Sequence, residues 1–274
     1  MHATILGLLL MIIAQRGAPA NQTPKSAAPI DLTGYWTAVI NEDWRLRMLT
    51  PKKGDFGMVF QQPPGVVLLP SIPYKPNGIE TAKQFDPAKD EADGNQCKGY
   101  GAAGVMRQPT HLHITWQDDT TLKLETDFGT QTRVFHFAPP QRPGRMSFFN
   151  GDYFPPEPLK IEPPPGTEPS LQGYSIAYWN AAGGRGGVER GGSLRVVTSK
   201  LKPGYYWKNG MPYSGNAVIT EYFRTMELPD SSKWILFTQI VEDPEYLTQP
   251  FIVNYQFKKL PDASKWSPTP CTVK

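Results

Sequence analysis

Residues 111–137 read HLHITWQDDTTLKLETDFGTQTRVFHF, and this stretch decides the fold. Leu112, Ile114 and Trp116 alternate with polar residues, and so do Leu122 and Leu124, the period-two pattern of half-buried strands. Asp118-Asp119-Thr120 and Asp127-Phe128-Gly129 have the composition of tight reversals, so the segment predicts three consecutive antiparallel strands. Such a meander builds a sheet, not a βαβ unit, which argues against nucleotide-binding α/β architectures.

The register of the two turns decides which side chains meet. A three-residue first turn places Leu112, Ile114 and Trp116 beside Leu122 and Leu124, and turns His111 and His113 to the face of Lys123 and Glu125. Arg133 and His136 are three residues apart and cannot share a face. A two-residue Phe128-Gly129 turn sends Arg133, Phe135 and Phe137 to the apolar side; a longer turn sends Thr132, Val134 and His136 there instead. An inward guanidinium needs a carboxylate, for which Glu221 and Asp243 are candidates, or an anionic ligand.

Outward from this segment the chain continues as strands. Residues 32–40 are aromatic and β-branched, and 217–223, 234–241 and 251–259 are further strand-like runs. The segments 175–179 and 194–198 read as arms of a hairpin whose tip, 183–192, holds six glycines. Ten prolines in residues 139–169 exclude a central strand or helix interior and predict a long surface loop. Residues 83–92 are the one expected helix, with Pro87 in its first turn. Eight to ten strands with hardly any helix predict an all-β fold, either an antiparallel β-barrel or a two-sheet β-sandwich. The barrel is preferred, because closure removes exposed sheet edges.

The 274 residues suit a single domain. Ile5 to Ala14 form a short apolar run followed by Ala18-Pro19-Ala20, which reads as a signal peptide over 1–20, then a linker over 21–30 and the domain over 31–274. No later run is long enough to span a bilayer, so a periplasmic or extracellular location is expected. In that compartment Cys97 and Cys271, the two cysteines of the chain, are expected to be bridged. The formal charge is only +3 with scattered basic residues, which argues against nucleic acid or a charged membrane surface as partner. Asn21-Gln22-Thr23 matches a glycosylation acceptor.

Two constellations could carry chemistry. The first holds His113, His136, Arg133 and Glu221, candidates for general base, anion stabiliser and carboxylate partner. The second is aromatic: Trp36, Trp44, Tyr174, Tyr178, Trp179 and Tyr222 could line a site for an apolar ligand. His111 and His113 alone are a weak metal signal, and no nucleophile elbow, phosphate loop or Cys-x-x-Cys pair occurs, so neither metal nor cofactor is expected.

The segments DLTGYW (31–36), GNQCKGYGAA (94–103), TDFGTQTR (126–133), QGYS (172–175), TEYF (220–223) and EDPEYLTQPF (242–251) resemble, in this order, a group of uncharacterised exported bacterial proteins with a lipocalin-like all-β layout. The resemblance spans most of the mature chain and implies the fold, not an activity. The chain departs from the group in its proline-rich segment and in the enlarged glycine-rich tip. The leading expectation is an exported lipocalin-like protein holding an apolar small molecule in its lumen. The alternatives are a cofactor-independent isomerase, hydratase or lyase on the same barrel, and a cell-surface interaction module with the proline-rich loop as its contact element.

Overall fold

The computed structural model describes residues 23–40, 53, 72–138, 162–181 and 191–273. Its architecture is a closed nine-stranded barrel. In chain order the strands are β1 (Gly34–Val39), β2 (His111–Trp116), β3 (Thr121–Thr126), β4 (Gln131–Phe137), β5 (Tyr174–Ala181), β6 (Gly192–Ser199), β7 (Gly204–Trp207), β8 (Met211–Tyr213), β9 (Val218–Glu227), β10 (Lys233–Glu242) and β11 (Phe251–Lys259). Around the barrel they run β1-β11-β10-β9-β6-β5-β4-β3-β2, while β7 and β8 form a separate hairpin. Closure falls to β1, whose six residues pair with β2 through Trp36↔Leu112 and with β11 through Trp36↔Lys259.

Both turns of the opening segment have the lengths that put apolar residues together. Gln117 N–H bonds to Thr121 O across Asp118-Asp119-Thr120, and Ile114 faces Leu124. Thr130 N–H bonds to Asp127 O around Phe128-Gly129, so Leu124 faces Arg133 and Leu122 faces Phe135. Gly129 stands at φ +81°, and a Cβ there would run into the Tyr100 ring, so the turn requires glycine on both counts.

Three expectations need correction. The barrel is not wholly antiparallel: β4 and β5 pair in parallel through His136↔Ile176, because the long connection between them returns the chain to the same end. The helix expected over 83–92 is confined to α2 (Pro87–Ala92), and a second helix, α1 (Pro76–Lys83), precedes it where none is expected. Asp86 breaks them apart by leaving the helical region and capping α2, its carboxylate accepting from Ala88 and Lys89 N–H with Pro87 at the first helical position. Residues 23–30 of the supposed linker pack on the barrel: Trp179 donates its indole N–H to Pro24 O at 2.7 Å, and Ile30 lies against the core. The expected signal peptide 1–20, Trp44, Asn21, Gln22, most of the proline-rich segment and residues 183–190 lie outside the described residues.

Inward side chains divide into two clusters. The first fills the barrel with Trp36, Leu112, Ile114, Leu122, Leu124, Phe135, Leu194, Val196, Phe223, Phe237 and Phe257, all nearly inaccessible to solvent. At this cluster's end Leu32 and Ile30 cover the mouth. The second closes the other end, where Ile219, Val241 and Phe251 meet Ala102, Tyr206, Trp207, Met211 and Tyr213 from the segment after α2 and from the β7-β8 hairpin.

The C-terminal tail is strapped down the outside. Thr269 N–H bonds to Asp127 O at 2.8 Å, Thr130 Oγ1 bonds to Thr269 O at 2.9 Å, and Cys271 is joined to Cys97 with Cα atoms 5.1 Å apart. Replacing both cysteines by serine opens a cross-link between residues 174 positions apart and should cost about 2–5 kcal/mol. A lowered denaturant midpoint with tail cleavage beyond Leu260 under limited proteolysis is the expected result; unchanged stability would show that the strap holds without the bridge.

Candidate functional site

Strand alternation places four polar side chains on one level of the lumen. On β9, Glu221 lies between Ile219 of the second cluster and Phe223 of the first; on β10, Gln239 lies between Val241 and Phe237. Arg133 projects from β4 and Thr198 from β6 to the same level. Arg133 Nη1 donates to Glu221 Oε1 at 2.8 Å and Nη2 donates to Oε2 at 2.6 Å, a two-pronged fork with both side chains at 0% exposure. Nη2 also donates to Thr198 Oγ1 at 3.2 Å, and Thr198 shares a 2.8 Å hydrogen bond with Ser175. Gln239 Nε2 donates to Glu221 Oε1 at 3.1 Å and to Ala102 O at 3.0 Å, linking the fork to the end cap. The guanidinium carbon lies 5.1 Å from the centre of the Phe135 ring.

Of the two carboxylates considered for Arg133, Glu221 is thus the partner. Asp243 instead organises a turn, its oxygens accepting from Ser214 N–H and hydroxyl, each at 2.7 Å, and from Glu245 and Tyr246 N–H at 3.1 and 3.2 Å. That is the role its Asp-Pro context suggests.

The histidines are on the other side of the sheet. His113 stacks on Tyr35 at 4.2 Å with Trp266 at its edge, and its Nδ1 lies 3.2 Å from Glu125. His136 stacks on Tyr174 at 4.7 Å. His111 meets Asp127 at 2.6 Å, a carboxylate that also accepts from His111 N–H at 2.7 Å and from Ser267 N–H at 3.2 Å. Arg133 and Glu221 are therefore brought together, while His113 and His136 are separated from them by the sheet itself. Among the described residues no cluster of three or more His, Cys, Asp or Glu side chains could hold a metal.

The aromatic set divides in the same way. Trp36 and Trp179 turn inward: Trp36 donates its indole N–H to Leu32 O at 2.9 Å, and Trp179 packs with Trp116 and Phe137 at centroid distances of 6.4 and 5.2 Å. Tyr174, Tyr178 and Tyr222 turn outward with His136 and Arg195, where Arg195 lies 5.3 Å from the Tyr178 ring and 5.6 Å from the Tyr222 ring. Thr198, Ser175, Gln239 and Arg195 escape a reading of the sequence. The first three show once Glu221 is placed inward, because each then occupies an inward phase of its own strand.

Comparison with protein-family models, with curated proteins and with solved structures gives no match.

A guanidinium cannot shed its charge, so its partner cannot be removed without leaving a bare ion in an apolar interior. Arg133→Met and Glu221→Leu, each alone, should cost about 3–5 kcal/mol, whereas the double variant should recover most of that loss. Equilibrium unfolding of the three variants gives the coupling; single variants as stable as the parent would show that the fork contributes nothing.

Proposed function

We propose that the protein is an exported, non-catalytic binding module that engages its partner through the outer face of the barrel. The observation that carries this reading is the filled lumen: inward positions are occupied by packed apolar side chains, and the guanidinium among them is already matched by Glu221 out of reach of water. Proton transfer by His113 or His136 beside Arg133 requires them in one cavity, and they face opposite sides. The outer surface is where unmatched features lie. Met226 and Leu236 are 38% and 36% exposed on the adjoining β9 and β10, beside Arg224 and Lys258, and Ile252 is 52% exposed on β11, farther along the sheet beyond Thr238 and Asn254. Exposed apolar side chains beside cations suit a protein or polymer contact. Export is supported by the apolar run at 5–14 and by the disulfide. Among the described residues no helix is long and apolar enough to cross a membrane.

A second reading keeps the lipocalin-like carrier and places its apolar ligand at the mouth, where Trp116, Phe137 and Trp179 are only partly buried under residues 23–33. The two readings separate in one titration with an environment-sensitive apolar dye and with a long-chain fatty acid as competitor. The surface module should show no saturable uptake by the folded protein. Stoichiometric binding that the fatty acid displaces, that quenches tryptophan fluorescence and that Trp179→Ala abolishes would establish the carrier instead.

A further inference from the structure

Arg195 stands in contrast to Arg133. It lies on the outward phase of β6, between the inward Leu194 and Val196, and in register with Tyr178 on β5 and Tyr222 on β9. Although it faces outward it is only 5% exposed, with the two tyrosine rings on either side of its guanidinium. Ring faces compensate a cation in part, by roughly 2 kcal/mol when desolvated, but they accept no directed N–H bond as an oxygen does. Among the described residues no carboxylate pairs with Arg195; its Nε is buried without an acceptor, as is that of Arg133, but Arg133 has Glu221 on its two terminal nitrogens and Arg195 has no such partner. The Tyr178 hydroxyl beside it is also buried and without a partner. Burial drives this phenol up to about 12, against the opposing pull of Arg195, so it keeps its proton and remains a donor at neutral pH.

Two buried donors, one of them permanently charged, and neither with a hydrogen-bond partner, make a site whose missing component is an acceptor with negative charge. We infer that Arg195 and Tyr178, flanked by Tyr222, form a binding site for an oxyanion group, a phosphate, sulfate or carboxylate, on the outer face of β5, β6 and β9. The planar guanidinium supplies a two-pronged donor, and the phenol supplies a third hydrogen bond that fixes the anion's orientation. Nearby Ser193 and Thr220, 6% and 8% exposed on the same outer face, supply hydroxyls for a ligand that extends beyond the anion. The site lies outside the lumen and does not depend on how the barrel's partner is identified.

The test is thermal unfolding of the full chain titrated with phosphate, sulfate or acetate, each against chloride at constant ionic strength. A saturable rise in melting temperature is expected with at least one oxyanion. Tyr178→Phe, which keeps the ring and removes one donor to a charged group, should weaken the apparent affinity about tenfold and leave the anion-free melting temperature nearly unchanged. Arg195→Met should abolish the oxyanion dependence and melt no lower than the parent in chloride, since it removes a buried cation that lacks a counter-charge. Equal melting in all four salts overturns the inference. So does an oxyanion effect that survives Arg195→Met, or a large loss of stability in Arg195→Met that is the same in every salt, which would make the tyrosine sandwich structural.

Discussion

A guanidinium that can neither lose its proton nor reach water must be matched where it stands, and Arg133 sets that constraint in the middle of this barrel. The fork to Glu221 connects β4 with β9 across the lumen, and Gln239 extends it through Ala102 to the segment that closes one end. Above this layer lie Phe135, Phe223 and Phe237; below it lie Ile219 and Val241. The polar layer therefore separates two apolar cores. A one-residue slip of β4 or β9 would turn Arg133 or Glu221 to the outside and leave its partner stranded, so the pair enforces the register of these strands as well as contributing stability.

Closure of both ends follows from the same need to keep apolar surface from water. A barrel removes sheet edges sideways but leaves two mouths, and each exposes the last ring of inward side chains. At one mouth residues 23–33 lie over Trp116, Phe137 and Trp179. Thr33 O there accepts from Lys259 Nζ, whose ammonium sits 4.6 Å from the Trp36 ring centre and is held below its usual range by burial, partly offset by Asp31. At the other mouth the β7-β8 hairpin and the segment around Cys97 supply a second core, and the disulfide fastens the tail beside it. The binding role proposed for the protein therefore falls to the outside of the sheet, on β9, β10 and β11; on the same outer face, at β5, β6 and β9, Arg195 has no counter-charge among the described residues.

The two arginines show how one residue type takes two roles by phase alone. Arg133 is on the inward phase of β4 and meets a carboxylate on the inward phase of β9. Arg195 is on the outward phase of β6, where its neighbours in register are Tyr178 and Tyr222. The rings accommodate its charge without neutralising it, and this difference separates a structural pair from a site able to receive a ligand.

Much of the fold was legible in the linear pattern. Alternation in residues 111–137 was enough to predict three strands and to turn His111 and His113 away from Leu112 and Ile114, while the choice between Arg133 and His136 as the inward residue hung on the length of the Phe128-Gly129 turn, which the structure decided. The cysteine pair in a chain with an apolar run at 5–14 was enough to expect the bridge. These features rest on nearest-neighbour geometry, a period of two and short reversals, which a sequence carries locally. Other features were decided only by the tertiary structure. Glu221, within β9, and Asp243, just past β10, are both carboxylates; Asp243-Pro244 suggests a turn, but only strand order shows that β9 faces Arg133. The parallel pairing of β4 with β5, the packing of residues 23–30 against Trp179, and the placement of Tyr178, Arg195 and Tyr222 in one row depend on contacts between residues far apart in the chain. Their energy comes from burial and pairing across strands, which no local pattern encodes.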